Sequence, residues 1–171
     1  MNKEIIFFDA DGTLWYPRST KRSNKPHWVY EKNKEPKDYL HLLTLTPSLV
    51  NILTKLKRRR IILVAISTHP HSLKEATIHM SSKIKHFNLE SLFYSVLTSR
   101  PYPSGKGHAI VRYLKKLKIP KSKALLIGDS YLYDYKSAKN AGIDCLLIRT
   151  PYMNSKGDRI KTISHLREIL N

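Results

Sequence analysis

The strongest constraint on the fold is a short apolar stretch near the N-terminus that ends in two carboxylates. Residues 5–8 are all apolar, Asp9 and Asp11 follow, and Gly12 interrupts the pattern. A run of this length, bounded by a residue that favours turns, predicts a strand buried on both faces. Side chains two positions apart share one face of an extended chain, so both carboxylates should point the same way at the end of the strand.

Ligands of open α/β sheets bind at the carboxyl ends of strands, where Asp9 and Asp11 are predicted to lie. Two neighbouring carboxylates repel each other unless a cation lies between them or one of them holds a proton. Gly12 lets the chain turn there without a steric penalty. The stretch therefore indicates a Mg²⁺ site with a nucleophile and an acid/base group, although a plain Asp-Gly turn would have the same local sequence.

Apolar stretches alternate with amphipathic ones along the rest of the chain. They predict five strands, at residues 3–9, 61–66, 92–97, 124–127 and 144–148. Four helices are predicted. The first begins with Thr46 as N-cap and Pro47 in the first helical position, and the others lie near residues 70–82, near 107–118, and from residue 132 to Gly142. Such alternation is typical of an α/β fold with a doubly wound, Rossmann-like parallel sheet of about five strands and helices on both faces.

Two further segments complete the predicted organisation. A last helix, capped by Asp158, is predicted to carry an apolar face made of Ile160, Ile163, Leu166 and Ile169. Residues 15–45 show no sustained helical period, carry three prolines and include a basic run at 18–25. Because long irregular segments in compact domains are usually functional or disordered, we expect a loop or small flap over the site. Residues 1–171 are then predicted to form a single domain.

The charge balance is strongly basic. Lys and Arg total 31 against 13 Asp and Glu, which gives a net charge of +18 with His neutral. Such a surface attracts anionic substrates and polyanions, and nonspecific nucleic-acid binding requires little more. A compositional bias towards lysine, unrelated to any binding partner, would give the same charge balance. Both interpretations stay open.

The sequence also bears on where the protein works. Its apolar runs are all too short to span a bilayer, and a strand pattern begins at once without a signal-peptide pattern. Cys145 is the only cysteine, so it can form no internal disulfide and is expected to be a reduced, buried thiol. We therefore predict a cytoplasmic protein with no membrane partner.

Polar groups of suitable types follow four predicted strands. Asp-Ala-Asp-Gly-Thr occupies 9–13, Ser67 ends the second strand, Lys106 opens a helix after the third, and Gly-Asp-Ser-Tyr-Leu-Tyr-Asp occupies 128–134. In this order they resemble the four motifs of the haloacid dehalogenase-like phosphatase superfamily. The first and fourth motifs are specific, whereas the serine and the lysine gain weight from their order. The resemblance covers residues 4 to about 150.

The resemblance implies a role for each acidic residue. Asp9 would attack phosphorus to form an aspartyl-phosphate, and Asp11 would protonate the leaving oxygen and later deprotonate water. Asp9, Asp129 and the backbone carbonyl of Asp11 would bind Mg²⁺, a cation that prefers few carboxylates supplemented by waters and a phosphate oxygen. Asp134 would support the site or serve as an alternative ligand.

The other motif residues would bind the phosphoryl group. Ser67 would donate a hydrogen bond to a phosphoryl oxygen, with Thr68 as a competitor for this role, and Lys106 would neutralise charge on the phosphoryl group and on Asp9. Because the insert at 15–45 is short, no large cap domain is expected. The continuation Leu14-Trp15 is similar to the magnesium-dependent phosphatase group, which typically has Tyr where this chain has Gly12.

The predicted function is Mg²⁺-dependent hydrolysis of phosphomonoesters, on a phosphorylated small molecule or a phosphoprotein. An enzymatic alternative, favoured by the +18 charge, is a phosphatase acting on nucleic-acid ends. Two non-hydrolytic alternatives are a receiver-like signalling domain and a polyanion-binding module. The pairing of Asp9 with Asp11 argues against a receiver, because the second acid serves hydrolysis by the enzyme itself.

Overall fold

The structure is a computed structural model that describes residues 2–32, 35–69, 72–99, 105–154, 157 and 159–170. Its centre is a sheet of six parallel strands in the order β5-β4-β1-β6-β7-β8. These strands are β1 (Ile5–Asp9), β4 (Ile62–Thr68), β5 (Ser95–Ser99), β6 (Ala124–Gly128), β7 (Asp144–Ile148) and β8 (Thr162–Ile163). The five predicted strands and the parallel α/β fold are confirmed, and β8 is an addition.

The position of β1 in the sheet determines where the predicted site residues can meet. This strand lies between β4 and β6, and all five of its residues are buried. Phe7 pairs in register with Val64 on one side and with Leu126 on the other. The carboxyl ends of these three strands therefore lie side by side at one edge of the sheet, which brings the residues that follow them together.

Helices cover both faces of the sheet, as the alternation of side chains along β1 requires. They are α3 (Leu49–Arg58), α4 (Leu73–His86), α5 (Gly105–Leu117) and α6 (Ser137–Ala141). Ile6 and Phe8 belong to the core cluster that contains Leu53 of α3 and Met80 of α4. Ile5 and Phe7 belong to the other cluster, with residues of α5 and α6. The sheet is therefore doubly wound.

Two helix starts differ from the prediction. Helix α3 has Ser48 as its N-cap, in the left-handed conformation with φ of 61°, because the Thr46 hydroxyl instead donates to the backbone oxygen of Thr13 at 2.5 Å. Helix α4 begins behind a capping box formed by Ser72 and Glu75. The predicted start of that helix at Pro70 lies outside the described residues.

The predicted C-terminal helix is wrong. Thr162 and Ile163 pair with Leu147 and Ile148 as strand β8, and a 3₁₀ helix follows at Leu166–Leu170. The apolar spacing suits this arrangement as well, because side chains three residues apart share a face of a 3₁₀ helix and pairing at the sheet edge satisfies the backbone. The predicted cap, Asp158, lies outside the described residues.

The segment between β1 and α3 contains a second, smaller layer of structure. Strands β2 (Trp15–Pro17) and β3 (Leu43–Leu45) pair antiparallel, and the helices α1 (Trp28–Lys32) and α2 (Pro36–Tyr39) lie between them in sequence. Trp15, Val29 and Tyr39 are fully buried in the same cluster as Phe8, so this segment packs on the main core. Within the described ranges, no helix combines the length and the apolar character needed to cross a membrane.

Candidate active site

Asp9 ends the central strand and lies at the centre of a buried ionic cluster. Its side chain forms an ion pair with Lys106 from the first turn of α5, and the same ammonium group also pairs with Asp134. All three side chains are at most 9% exposed, so the ion pairs lie away from bulk water. The structure thus brings together three residues that are far apart in the sequence but were all predicted from the motifs.

Asp134 has the role of an anchor in the loop after β6. Its Oδ2 accepts the backbone N–H groups of Asp129 at 3.2 Å and Ser130 at 2.9 Å, while Oδ1 pairs with Lys106. A Cβ on Gly128 would lie 2.2 Å from the Asp134 carboxyl, so only glycine lets the loop close this tightly. Asp129 and Asp134, the two acids of the motif at residues 128–134, are therefore fixed, and Asp134 supports the position of Asp129.

The acid cluster, by which we mean Asp9, Asp129 and Asp134, could converge on a cation. One carboxylate oxygen from each residue lies within 4.8 Å of the others. Burial, with Asp134 as the next cause, raises the pKa of Asp129 to about 6, and the same two causes raise the pKa of Asp9 well above its ordinary value despite Lys106. Negative charge therefore exceeds positive charge here, and hard oxygen donors in this number suit Mg²⁺.

The loop that follows Asp11 is closely packed against Asp129. Gly12 has φ of 88°, a left-handed conformation that favours glycine, and a Cβ there would lie 1.9 Å from Oδ2 of Asp129. That same oxygen accepts a hydrogen bond from the hydroxyl of Tyr152. Tyr152 was not predicted, because nothing in the sequence connects a tyrosine after β7 with the loop after β6.

Asp11 has different surroundings from Asp9. Its Oδ1 accepts hydrogen bonds from the indole nitrogen of Trp15 at 2.8 Å and from the hydroxyl of Tyr30, and Lys83 lies 3.2 Å from both carboxylate oxygens. We call Trp15, Tyr30, Tyr39 and Lys83 the aromatic box. The Lys83 ammonium lies 4.1 Å from the centre of the Tyr30 ring and 5.4 Å from that of Tyr39, which adds cation–π attraction to the ion pair.

The aromatic box reverses the electrostatic effect seen at Asp9. Burial alone would raise the pKa of Asp11, but Lys83 and the Tyr30 hydroxyl outweigh it and lower that pKa below its ordinary value. The pKa of Lys83 is itself lowered, because for this side chain burial outweighs the attraction of Asp11. Asp11 is therefore held as a carboxylate by donors that surround it.

Lys83 was missed in the sequence, although one signal was present. The buried positions of α4 are 76, 80, 83 and 84, which is the spacing of an apolar helix face. Lys83 therefore falls on that face instead of the solvent face, and a lysine there needs a partner. In a chain with 31 basic residues, this single lysine did not stand out.

The phosphate-binding candidates lie at the end of β4. Asp9 pairs in register with Ile66, so Ser67 is one residue further towards the same sheet edge, and it is 3% exposed. Thr68 is the next residue, and its hydroxyl lies 3.1 Å from the hydroxyl of Ser99 in β5. Consecutive strand residues point to opposite faces, so the hydroxyls of Ser67 and Thr68 point in different directions.

The basic run at 18–25 is partly engaged inside the protein. Arg22 donates to the backbone oxygens of Gly12 at 2.7 Å and Thr13 at 3.2 Å, and to the Thr46 hydroxyl at 2.6 Å. Arg18 donates to the backbone oxygen of Leu43 at 3.3 Å. These contacts were not predicted. They make Arg22 a clamp on the loop that follows Asp11, whereas Lys21 and Lys25 are exposed.

Comparisons with known proteins agree with this arrangement. Residues 8–148 match the family model described as haloacid dehalogenase-like hydrolase. The structure is similar to CbbY from Rhodobacter sphaeroides in complex with phosphate, with 16% identity, TM-score 0.67, and coverage of 98% of this chain and 96% of that one. It is also similar to the haloacid dehalogenase-like family protein SP0104 from Streptococcus pneumoniae, with 17% identity, TM-score 0.69, and coverage of 99% and 97%. No curated protein matches the chain.

Proposed function

Because the chain belongs to the haloacid dehalogenase-like hydrolase family, we propose that it is a Mg²⁺-dependent phosphatase that hydrolyses phosphomonoesters through an aspartyl-phosphate on Asp9. The observation that carries this proposal is the buried Asp9–Lys106–Asp134 ion-pair chain beside Asp129. It fixes a carboxylate at the end of the central strand with one oxygen engaged. The other oxygen, Oδ2 of Asp9, accepts no hydrogen bond from any described residue.

The free oxygen of Asp9 is the proposed nucleophile. Attack by Oδ2 on phosphorus forms an acyl phosphate, and the bond from phosphorus to the leaving oxygen breaks with its electron pair staying on that oxygen. Asp11, a carboxylate in the free protein, takes up a proton from solvent when the anionic substrate binds and donates it to that leaving oxygen; it then takes a proton from the water that attacks the acyl phosphate and returns it to solvent. Hydrolysis releases phosphate and returns both carboxyl groups to their starting state.

The cation and the phosphoryl group each have a proposed set of partners. Asp9, Asp129 and the backbone carbonyl of Asp11 would hold Mg²⁺, which when bound neutralises charge on the phosphoryl oxygens and orients them. The fit is supported by the excess of carboxylates over ammonium groups in the acid cluster. Lys106 would remain paired with Asp9 and would also neutralise charge on the phosphoryl group. Ser67 is the better-placed hydroxyl for donating to a phosphoryl oxygen, because the Thr68 hydroxyl is engaged by Ser99.

We propose a phosphorylated small molecule as the substrate class. CbbY was solved with xylulose-(1,5)-bisphosphate, and a sugar phosphate is one class to assay here. A phosphatase acting on nucleic-acid ends is the second candidate, favoured by the charge of +18 and by the exposed Lys21, Lys25 and Trp28, which are near in sequence to Arg22, the clamp on the loop that follows Asp11. Stacking on an aromatic ring together with phosphate attraction would suit such an end.

The test is release of inorganic phosphate from a panel of sugar phosphates, nucleotides, phosphotyrosine and end-phosphorylated oligonucleotides, with Mg²⁺ or with excess chelator. We expect Mg²⁺-dependent turnover of at least one class. If oligonucleotides are the substrates, log KM should rise with log salt, and replacing Lys21 and Lys25 by Ser should flatten that slope. Full turnover in chelator, or no turnover of any substrate with Mg²⁺, would contradict the proposed function.

A further inference from the structure

Lys83 is a buried charge that lies outside the acid cluster. Its side chain is 1% exposed, and its ammonium group contacts the Asp11 carboxylate at 3.2 Å on both oxygens. The Trp15 and Tyr30 rings lie within 5.9 Å and 4.1 Å of this group. Burying an ion pair gives little net stability compared with apolar packing, because both charges must first lose their water. A contribution to folding alone therefore does not explain a lysine at this position.

The hydrogen bonds on Asp11 are distributed unequally between its two oxygens. Oδ1 accepts from Trp15, from Tyr30 and from Lys83, whereas Oδ2 accepts from Lys83 alone among the described residues. The Asp11 side chain keeps 10% of its surface exposed. Lys83 thus holds both oxygens, Trp15 and Tyr30 hold Oδ1 alone, and Oδ2 keeps lone-pair capacity for a further partner.

The groups that hold Asp11 come from three separate elements. Trp15 belongs to β2, Tyr30 to α1 and Lys83 to α4. The Lys83 ammonium joins them, because it lies over the rings of both Trp15 and Tyr30. Trp15 also stacks on Phe87 with centroids 5.8 Å apart, and Tyr30 meets Tyr39 edge-on at 4.8 Å. None of these groups contacts Asp9 or Asp129 in the described contacts. The hydrogen bonds of the aromatic box therefore converge on Asp11, and Lys83 and Tyr30 interact with Asp9 only electrostatically at longer range.

We propose that Lys83 and Tyr30 are positioning residues for Asp11: Lys83 holds the carboxylate through both oxygens, Tyr30 anchors Oδ1, and Oδ2 carries the proton to the leaving oxygen. This inference rests on the proposed phosphatase function. Asp11 takes up this proton from solvent when the anionic substrate binds, Oδ2 transfers it while the bond between phosphorus and the leaving oxygen breaks, and the electron pair of that bond stays on the oxygen. A precisely held acid matters most when the leaving group is a poor one. The aromatic box therefore favours alkyl phosphates as substrates, the class that includes sugar phosphates.

The dependence on the leaving group separates positioning from a structural role. We would measure kcat/KM, which reports the steps up to loss of the leaving group, for an alkyl phosphate and for dinitrophenyl phosphate. Lys83→Met keeps the apolar stem and removes the charge. We expect a loss of about tenfold or more with the alkyl phosphate and of less than about threefold with dinitrophenyl phosphate, whose leaving group needs no proton. Equal losses with both substrates would overturn the inference.

A second variant tests the inference even if Lys83→Met fails to fold, and a third serves as the control. Tyr30→Phe removes one hydroxyl and keeps the ring, so it should show the same selective loss, smaller in size. Lys85→Met, on the exposed side of the same helix, is the matched control and should change neither kcat/KM. If Tyr30→Phe and Lys85→Met are indistinguishable from the unmodified protein with every substrate, the inference is wrong.

A double-mutant comparison completes the test. In an Asp11→Asn background the acid is already absent, so adding Lys83→Met should lower kcat/KM for the alkyl phosphate by no more than about twofold. A further tenfold loss there would mean that Lys83 acts through the fold and not through Asp11. If the unmodified protein hydrolyses no phosphomonoester, the proposed function fails and the inference fails with it. If it is active and Lys83→Met leaves the dependence of kcat/KM on the leaving group unchanged, the inference alone fails.

Discussion

Two buried lysines flank the end of the central strand, and their surroundings differ in a way that divides the site. Lys106, from α5, pairs with Asp9 and Asp134, so its neighbours are carboxylates. Lys83, from α4 on the other face of the sheet, pairs with Asp11 and otherwise meets aromatic rings. Each lysine neutralises a carboxylate, but only the first does so where negative charge remains in excess.

The consequence is opposite for the two carboxylates. Burial and Asp134 raise the pKa of Asp9, whereas Lys83 and Tyr30 overcome burial and lower the pKa of Asp11. Excess negative charge around Asp9 favours a bound cation, and such a cation would stabilise the carboxylate form of the proposed nucleophile. A surplus of donors around Asp11 suits a group whose orientation must stay fixed. The end of one strand thus carries two carboxylates with opposite pKa shifts, only two residues apart.

The largest expected effect concerns the nucleophile. Asp9→Asn should reduce phosphate release to trace levels, because an amide is a poor nucleophile of nearly the same shape. Thermal unfolding should show that this variant remains folded. The matched control is Asp144→Asn, which changes a carboxylate that is 69% exposed and outside the site. Substantial turnover by Asp9→Asn would remove the distinction between the two carboxylates.

The next effect concerns the cation expected in the acid cluster. Excess chelator should abolish turnover, and Asp129→Asn should raise the Mg²⁺ concentration needed for half-maximal activity by about tenfold or more. Calcium should inhibit, because its larger and looser coordination shell does not hold the phosphoryl group in line. Mg²⁺ titrations of the unmodified protein and the Asp144→Asn control should coincide. An unchanged titration for Asp129→Asn would exclude this residue as a ligand.

The Arg22 clamp connects the small insert to the loop that follows Asp11. Arg22→Ala removes three hydrogen bonds and a ring contact at 4.7 Å with Tyr16, so we expect a loss of about 2 kcal/mol in the free energy of unfolding. Lys25→Ala, in the same basic run but exposed, should stay within about 0.5 kcal/mol of the unmodified protein. Denaturant titrations measure both. Equal stabilities of the two variants would show that the run is merely a solvated surface.

The smallest effect is a pH dependence of stability without metal. Asp129 has a folded-state pKa raised to about 6, so it disfavours folding above that pH, and the penalty vanishes as the pH falls towards the unfolded value of about 3.9. In chelator, Asp129→Asn should therefore gain on the order of 1 kcal/mol over the unmodified protein above about pH 6, and this gain should disappear near about pH 4. A difference that does not change with pH would contradict the charge excess in the acid cluster.

The sequence predicted the acid cluster far better than the aromatic box, and the reason is physical. Asp9, Ser67 and Asp129 each follow an apolar run that forms a strand, and parallel strands bring their carboxyl ends to one edge. The partners of Asp11 obey no such rule. Tyr30 lies 19 residues away and Lys83 lies 72 residues away, and their contacts depend on how the insert and α4 pack.

The C-terminal segment shows the same limit. Apolar residues at three-residue spacing predicted a helix there, but Ile163 pairs with Ile148 at the edge of the sheet. The choice between helix and strand was made by a neighbouring strand with unpaired backbone groups, which local spacing does not record. Periodicity thus located the buried side chains of this segment while leaving its backbone conformation undetermined.

The most direct measurement asks which carboxylate becomes phosphorylated. Turnover with a substrate and Mg²⁺ would be stopped in acid, and the acyl phosphate reduced with borohydride, which converts an aspartyl-phosphate to homoserine that peptide mass spectrometry can locate. We predict homoserine at position 9, dependent on substrate and absent from the Asp9→Asn protein. Homoserine at position 11, or rapid turnover with no reducible intermediate at position 9, would contradict the account.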